Sequence, residues 1–152
     1  MLIDYAHTPN ALENVLSALR DFTPGRLICL FGCGGDRDRG KRAVMGSIAA
    51  SMADYVVITS DNPRTEPPDA IIRDILTGLE GFDTPRTVEP DRERAIGLAL
   101  ELLAEGDTLV LAGKGHETTQ EVNGVLFPMD EREIVARWQR RGTCPKKQKV
   151  VQ

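Results

Sequence analysis

Apolar residues fall along this chain in helix-spaced groups that alternate with short continuous runs. Ala11, Leu12, Val15, Leu16 and Leu19 repeat at helical spacing behind Thr8-Pro9, a capping hydroxyl followed by a proline suited to a first helical turn. The spacing predicts a helix over about residues 9–20, closed by Pro24-Gly25. Arg26 to Phe31 is almost wholly apolar, as in strands buried on both faces. Val44, Ile48, Ala49 and Met52 predict a helix ahead of a second apolar strand at 55–59. Further on, the pattern predicts a helix from Pro68 to Leu79, a weak strand near Thr87-Val88, a helix from Asp91 to Ala104, and a buried strand from Thr108 to Ala112. Asn123-Gly124, set between Thr119–Val122 and Val125–Phe127, is a hairpin signal because both turn residues tolerate positive φ. Asp130 caps a closing helix that runs to Arg141.

This alternation predicts an α/β fold: a Rossmann-like, mainly parallel sheet flanked by helices, with a C-terminal β-hairpin and closing helix. Residues 1–141 form one domain, and the basic stretch 142–152, which has no apolar period, is expected to be a disordered tail. At the front, Met1-Leu2-Ile3 runs at once into Asp4-Tyr5-Ala6-His7-Thr8-Pro9, which reads as a motif and not as an element. That abruptness points to a piece of a longer protein. Ligands of parallel sheets bind at the carboxyl ends of strands. Three polar loops, 32–42, 60–66 and 113–118, follow three of the expected strands and should converge on one edge.

Composition narrows the partners. A net charge of -4 with 28% charged residues argues against a nucleic-acid or membrane surface and leaves small molecules as the ligands. No run approaches the roughly 18 apolar residues of a membrane span, and the N-terminus lacks a signal-peptide layout, so a cytoplasmic setting is expected. Cys29, Cys33 and Cys144 are too few and too irregular for a disulfide framework or a thiolate metal site. Cys29 reads as core.

The chemistry lies in the three loops. Asp61-Asn62-Pro63-Arg64 gathers a carboxylate, an amide and a guanidinium, although such a run also describes a plain side-chain-capped turn. The first loop combines Gly32, Gly34, Gly35 and Gly40 with Arg37, Arg39, Lys41 and Arg42 ahead of a helix, a setting for carboxylate or phosphate. A solvated charged turn is the alternative, but so many glycines carry an entropy cost that a surface turn need not bear. In the third loop, Gly113-Lys114-Gly115-His116-Glu117 lacks the first glycine and the hydroxyl of a phosphate-binding G-x-x-x-x-G-K-[ST] loop. Together the loops offer Arg37 and Arg64 as forks for a carboxylate, Asp61 or Glu117 as acceptors for an ammonium, and Asn62 adaptable between them. Phosphate would not call for the two carboxylates; a free amino-acid zwitterion would.

Four segments, Asp4-Tyr5-Ala6-His7-Thr8-Pro9, Phe31-Gly32-Cys33-Gly34-Gly35-Asp36-Arg37-Asp38, Asp61-Asn62-Pro63-Arg64 and Ala112-Gly113-Lys114-Gly115-His116-Glu117, occur in the order and at the spacing of the Mur ligase C-terminal domain. Over about residues 3–141 the chain resembles that domain in the branch that adds meso-2,6-diaminopimelate. The resemblance implies that Asp61, Asn62 and Arg64, with Arg37, Gly113 and Glu117, hold diaminopimelate. It implies that Asp4, Tyr5 and His7 face the nucleotide, with Asp4 accepting from ribose hydroxyls. It also implies ATP and Mg2+ as cofactors of a full enzyme acting on UDP-MurNAc-L-Ala-D-Glu. The phosphate loop and Mg2+ ligands of the family belong to a central domain whose motifs are not in this sequence, so no catalytic or metal-binding residue is assigned here, and the chain alone is expected to be inactive. The alternative is a stand-alone Rossmann-like nucleotide-binding or interaction module without ligase activity.

Overall fold

A computed structural model describes residues 1–140. The strands are β1 (Leu2–Asp4), β2 (Leu27–Phe31), β3 (Tyr55–Ile58), β4 (Arg86–Val88), β5 (Thr108–Ala112), β6 (Thr119–Val122) and β7 (Val125–Pro128). The helices are α1 (Pro9–Arg20), α2 (Gly40–Met52), α3 (Pro68–Thr77), α4 (Arg92–Glu101) and α5 (Glu131–Arg140). β1 to β5 form one parallel sheet in the order β1-β5-β2-β3-β4, while β6 and β7 pair as a separate antiparallel hairpin. The sheet, its covering helices, the hairpin and the closing helix are those expected from the alternating pattern.

The apolar runs explain the layering. Leu27, Cys29 and Phe31 of β2 join a core with α1, α2 and α3, whereas Ile28 and Leu30 point into a second core with α4 and α5. Because successive strand side chains alternate faces, a strand covered on both sides must be apolar at every position. All five residues of β2 are buried. Local signals set the element ends: the Thr8 hydroxyl accepts from the Ala11 N–H at the start of α1, and Asp91 accepts from the Arg94 N–H at the start of α4. Asn123 and Gly124 take φ of 50° and 74°, the two positive values that the hairpin turn requires.

β1 is the element the sequence pattern did not assign. Its three residues are only half buried and it lies at the sheet edge, paired with β5 through Leu2–Val110, Ile3–Leu111 and Asp4–Ala112. So short a strand leaves no periodic signature, and its long-range partner supplies the pairing. The expected tail at 142–152 lies outside the described residues.

This strand order places the site. The chain steps from β2 outward through β3 to β4, then returns to β5 on the other side of β2. Between β2 and β5 the direction of progress reverses, and the loops leaving the carboxyl ends of these two strands open a crevice, where ligands of such sheets bind.

Candidate functional site

The loops that follow β1, β2, β3 and β5 meet around a cleft of about 380 Å³. Tyr5, His7 and Thr8 line it from the first loop, Gly34 and Arg37 from the second, and Asp61, Asn62 and Arg64 from the third. Lys41 enters from the first turn of α2, and Gly113 and Glu117 close the other side. Of the nine residues expected to hold diaminopimelate or face the nucleotide, all but Asp4 line this one cleft. The Asp4 carboxylate turns back onto its own chain and accepts from the Ala6 N–H at 2.8 Å.

Close backbone approach docks the second loop on the third. Gly35 N–H donates to Asn62 O at 2.8 Å, and a Cβ on Gly35 would stand 1.9 Å from Pro63 O. Any side chain there would force the loops apart. Asp36 stitches them further, its carboxylate accepting from the Thr65 hydroxyl at 2.7 Å and the Thr65 N–H at 3.2 Å. The glycines thus serve to seat one loop on another.

Arg64 adopts φ 52°, an uncommon value for a non-glycine residue, and the hairpin holds it there. Its N–H donates to Glu121 O at 3.1 Å, and its carbonyl accepts from Asn123 N–H at 2.8 Å. The Arg64 guanidinium donates to Gly35 O at 2.9 Å and lies 3.2 Å from a Glu121 carboxylate oxygen, which fixes it at the cleft wall. β6 and β7 therefore position the arginine as well as closing the fold. Arg37 is exposed at the mouth, with a side-chain donor on Asp36 O at 3.2 Å.

On the opposite wall, Glu117 Oε2 accepts from Lys114 Nζ at 2.8 Å and from the Asn62 side-chain amide at 3.0 Å. Burial pushes the Glu117 carboxyl upward, but these two donors and the charges of Lys114 and Arg64 outweigh it and hold the carboxyl below its ordinary value. Asn62 Oδ1 in turn accepts from Lys114 Nζ at 3.1 Å and from the Glu121 N–H at 3.0 Å. Asp61 is buried, with its carbonyl accepting from Gln120 Nε2 at 2.6 Å. Gly113 takes φ 116°, and a Cβ there would meet Asp61 Oδ2 at 3.0 Å, so only glycine leaves the Asp61 carboxylate its place. At the rim the Tyr5 ring lies 4.5 Å from the His7 ring and 5.3 Å from that of His116.

Three functional features escaped the sequence. Lys114, weighed there only as a phosphate-loop lysine, is fully buried beneath the cleft; its signal was a lysine at a buried strand's end with a glutamate three residues on. Arg92 is also buried, paired with buried Glu131 at 2.8 Å, and donates to Ser60 O at 3.0 Å and Ala112 O at 2.9 Å. It thereby ties together the carboxyl ends of β3 and β5, although β2 lies between them. Arg42, grouped in the sequence with the anion-binding residues of the first loop, is instead buried on Glu66 and Asp74 at 2.7 and 2.9 Å and supports Gly34 O from beneath. Arg39 pairs with Asp74 at 3.0 Å. Of that basic run only Arg37 and Lys41 line the cleft.

Cys29 and Cys33 are buried, and burial pushes both thiols up to about 12, which leaves no nucleophilic thiolate near neutral pH. Among the described residues no group of three or more His, Cys, Asp or Glu lies close enough to hold a metal ion, and no helix is long and apolar enough to cross a membrane.

Relatives are similar in sequence over most of the chain. It is 55% identical over 133 residues, 88% of its length, to the UDP-N-acetylmuramoyl-L-alanyl-D-glutamate--2,6-diaminopimelate ligase of Thermosynechococcus vestitus, of which it covers 27%. It is 50% identical over 135 residues, 89% of its length, to the protein of the same name from Lawsonia intracellularis, of which it covers 28%. A solved structure of a ligase of that name superposes with a TM-score of 0.87 at 44% identity, over 92% of this chain and 29% of that one. The chain thus spans little more than a quarter of the length of the relatives it matches. Residues 1–115 match the model of the Mur ligase, glutamate ligase domain, and the chain belongs to that family.

Proposed function

We propose that this chain is the amino-acid-binding domain of an ATP-dependent ligase that joins meso-2,6-diaminopimelate to UDP-MurNAc-L-Ala-D-Glu, a cytoplasmic step of peptidoglycan synthesis. One observation carries the reading: Arg37, Asp61, Asn62, Arg64, Gly113 and Glu117, drawn from three separate loops, line a single cleft. Arg64 and Arg37 offer guanidinium donors to a carboxylate, and Glu117 and Asp61 offer acceptors to the ammonium beside it. Free lysine has a bare terminal ammonium where diaminopimelate has a whole zwitterion, so a cleft furnished with arginines favours diaminopimelate. The names of the relatives support that choice.

Tyr5 and His7 form the rim that would face the nucleotide, and Asp4, with one oxygen engaged by Ala6, has its second for a ribose hydroxyl. Bound ATP supplies the activation of the partner carboxylate. Mg2+ finds no ligand set among the described residues, and no step is assigned to it in this domain. This chain's own part is to hold the incoming amino acid in one orientation, which lowers the entropic barrier to amide formation.

Calorimetric titration of the chain with meso-diaminopimelate and with L-lysine tests the reading. Diaminopimelate is expected to bind more tightly, and Arg64→Ala to weaken it about tenfold or more while leaving lysine unaffected. Equal affinity for the two ligands would overturn the proposal. Phosphate release from ATP by the chain alone is expected to be absent; Mg2+-dependent release that disappears on substituting its own cleft residues would show a different enzyme.

A further inference from the structure

Lys114 stands two residues beyond the end of β5, and no part of its surface reaches solvent. A buried ammonium is costly unless its donors are satisfied and its charge is balanced. Here Nζ donates to Glu117 Oε2 at 2.8 Å and Asn62 Oδ1 at 3.1 Å, with Asp61 Oδ1 at 3.8 Å. One cation thus sits behind both carboxylates expected to receive a ligand ammonium, and behind the amide that lies between them. Glu117 Oε2 is fully engaged by Lys114 and Asn62, whereas Oε1 has no hydrogen-bond partner among the described residues.

We infer that Lys114 is a positioning residue that sets the selectivity of the cleft: an internal counter-cation which fixes Asp61, Asn62 and Glu117 and leaves one Glu117 oxygen for an incoming ammonium. The inference rests on the amino-acid-binding function proposed above. Being wholly buried, Lys114 does not touch the ligand. Its charge limits how much further positive charge the cleft accepts, so that a zwitterion is taken in preference to a bare ammonium. It also keeps Glu117 ionised. The groups that share the cleft with Glu117 are Lys114 on its own loop, Asp61, Asn62 and Arg64 after β3, Arg37 and Lys41 around the start of α2, and Tyr5 and His7 after β1. Of these, Lys114 stands foremost among the influences that hold its carboxyl down against burial.

Removing that cation leaves burial poorly opposed, so the Glu117 carboxyl rises and protonates closer to neutrality. A neutral carboxyl offers no charge to an ammonium, and affinity falls as pH falls through the raised value. Titration of the unsubstituted chain and of Lys114→Met with meso-diaminopimelate and L-lysine, from about pH 8 down to about pH 5, reads this directly. The unsubstituted chain is expected to hold its diaminopimelate affinity nearly constant across the range. The variant is expected to lose about tenfold or more toward the acid end, and to show a smaller preference for diaminopimelate over lysine at every pH. A loss that is equal for both ligands and independent of pH would mark Lys114 as a mere packing residue and overturn the inference, as would an unchanged variant. If the unsubstituted chain binds neither ligand, the proposed function fails first; if it binds and only the Lys114 results depart from expectation, that function stands without this inference. Should Lys114→Met not fold, carbon-13 NMR of the Glu117 carboxyl in the unsubstituted chain decides: titration below the ordinary glutamate value of about 4.3 supports the role, and titration at or above it overturns it.

Discussion

Two sets of arginines surround the same loops and do opposite work. Arg42 and Arg92 lie beneath the loops, fully buried, with their guanidinium groups engaged by Glu66, Asp74, Glu131 and the carbonyls of Gly34, Ser60 and Ala112, and only Arg42 Nε is left without a partner among these donors. Arg37 and Arg64 lie at the cleft wall, where Arg37 is exposed and Arg64 makes one contact each with Gly35 O and the Glu121 carboxylate. Guanidinium chemistry is the same in both sets; what differs is whether the fold has already consumed the donors. A buried arginine with every partner inside the protein can only hold the loops, and an arginine with donors to spare can hold a ligand.

Removing a buried arginine should therefore damage stability, and removing a cleft arginine should damage binding. Arg92→Leu leaves Glu131 buried without its cation and should cost about 3–5 kcal/mol, read as a drop in the urea midpoint at constant slope; a loss below about 1 kcal/mol would erase the distinction. Gly35→Ala forces a methyl group onto Pro63 O and should cost about 1–3 kcal/mol, with ligand binding falling as the loops part. Acid offers a subtler test. The bidentate Arg42 contact, with the Asp36 N–H, holds the Glu66 carboxyl down to about 2, below its unfolded value. Its contribution to stability is therefore complete above the unfolded glutamate value of about 4.3 and lost as pH falls from there toward the folded value. In Glu66→Gln that part of the acid destabilisation should be missing from a pH series of denaturation midpoints. The smallest stability effect is expected for Arg37→Ala, within about 0.5 kcal/mol, alongside a clear loss of diaminopimelate affinity in the same calorimeter.

The cleft residues were legible because each stands just beyond an apolar run, where the chain turns from buried strand to polar loop. Asn123-Gly124 was legible for a similar reason, since its two positive φ values are a local demand of a two-residue turn. Arg42 was not: in sequence it is one basic residue among four, and its partners Glu66 and Asp74 lie 24 and 32 positions away. Lys114 and Arg92 were hidden in the same way, since their burial depends on strands and helices distant in the chain meeting above them. β1 shows the other limit, a strand too short to carry a period and defined only by pairing with β5.

The sequence by itself determined the α/β alternation, the caps, the turn and the three polar loops that line the cleft, because these depend on the period of apolar residues and on backbone demands met within a few positions. Only the tertiary structure decided which charged side chains of those loops are free for a ligand. That choice rests on contacts such as Lys114 with Asn62 and Arg92 with Glu131, 52 and 39 positions apart, and a charge is committed to the fold or left to the cleft only once such partners have come together.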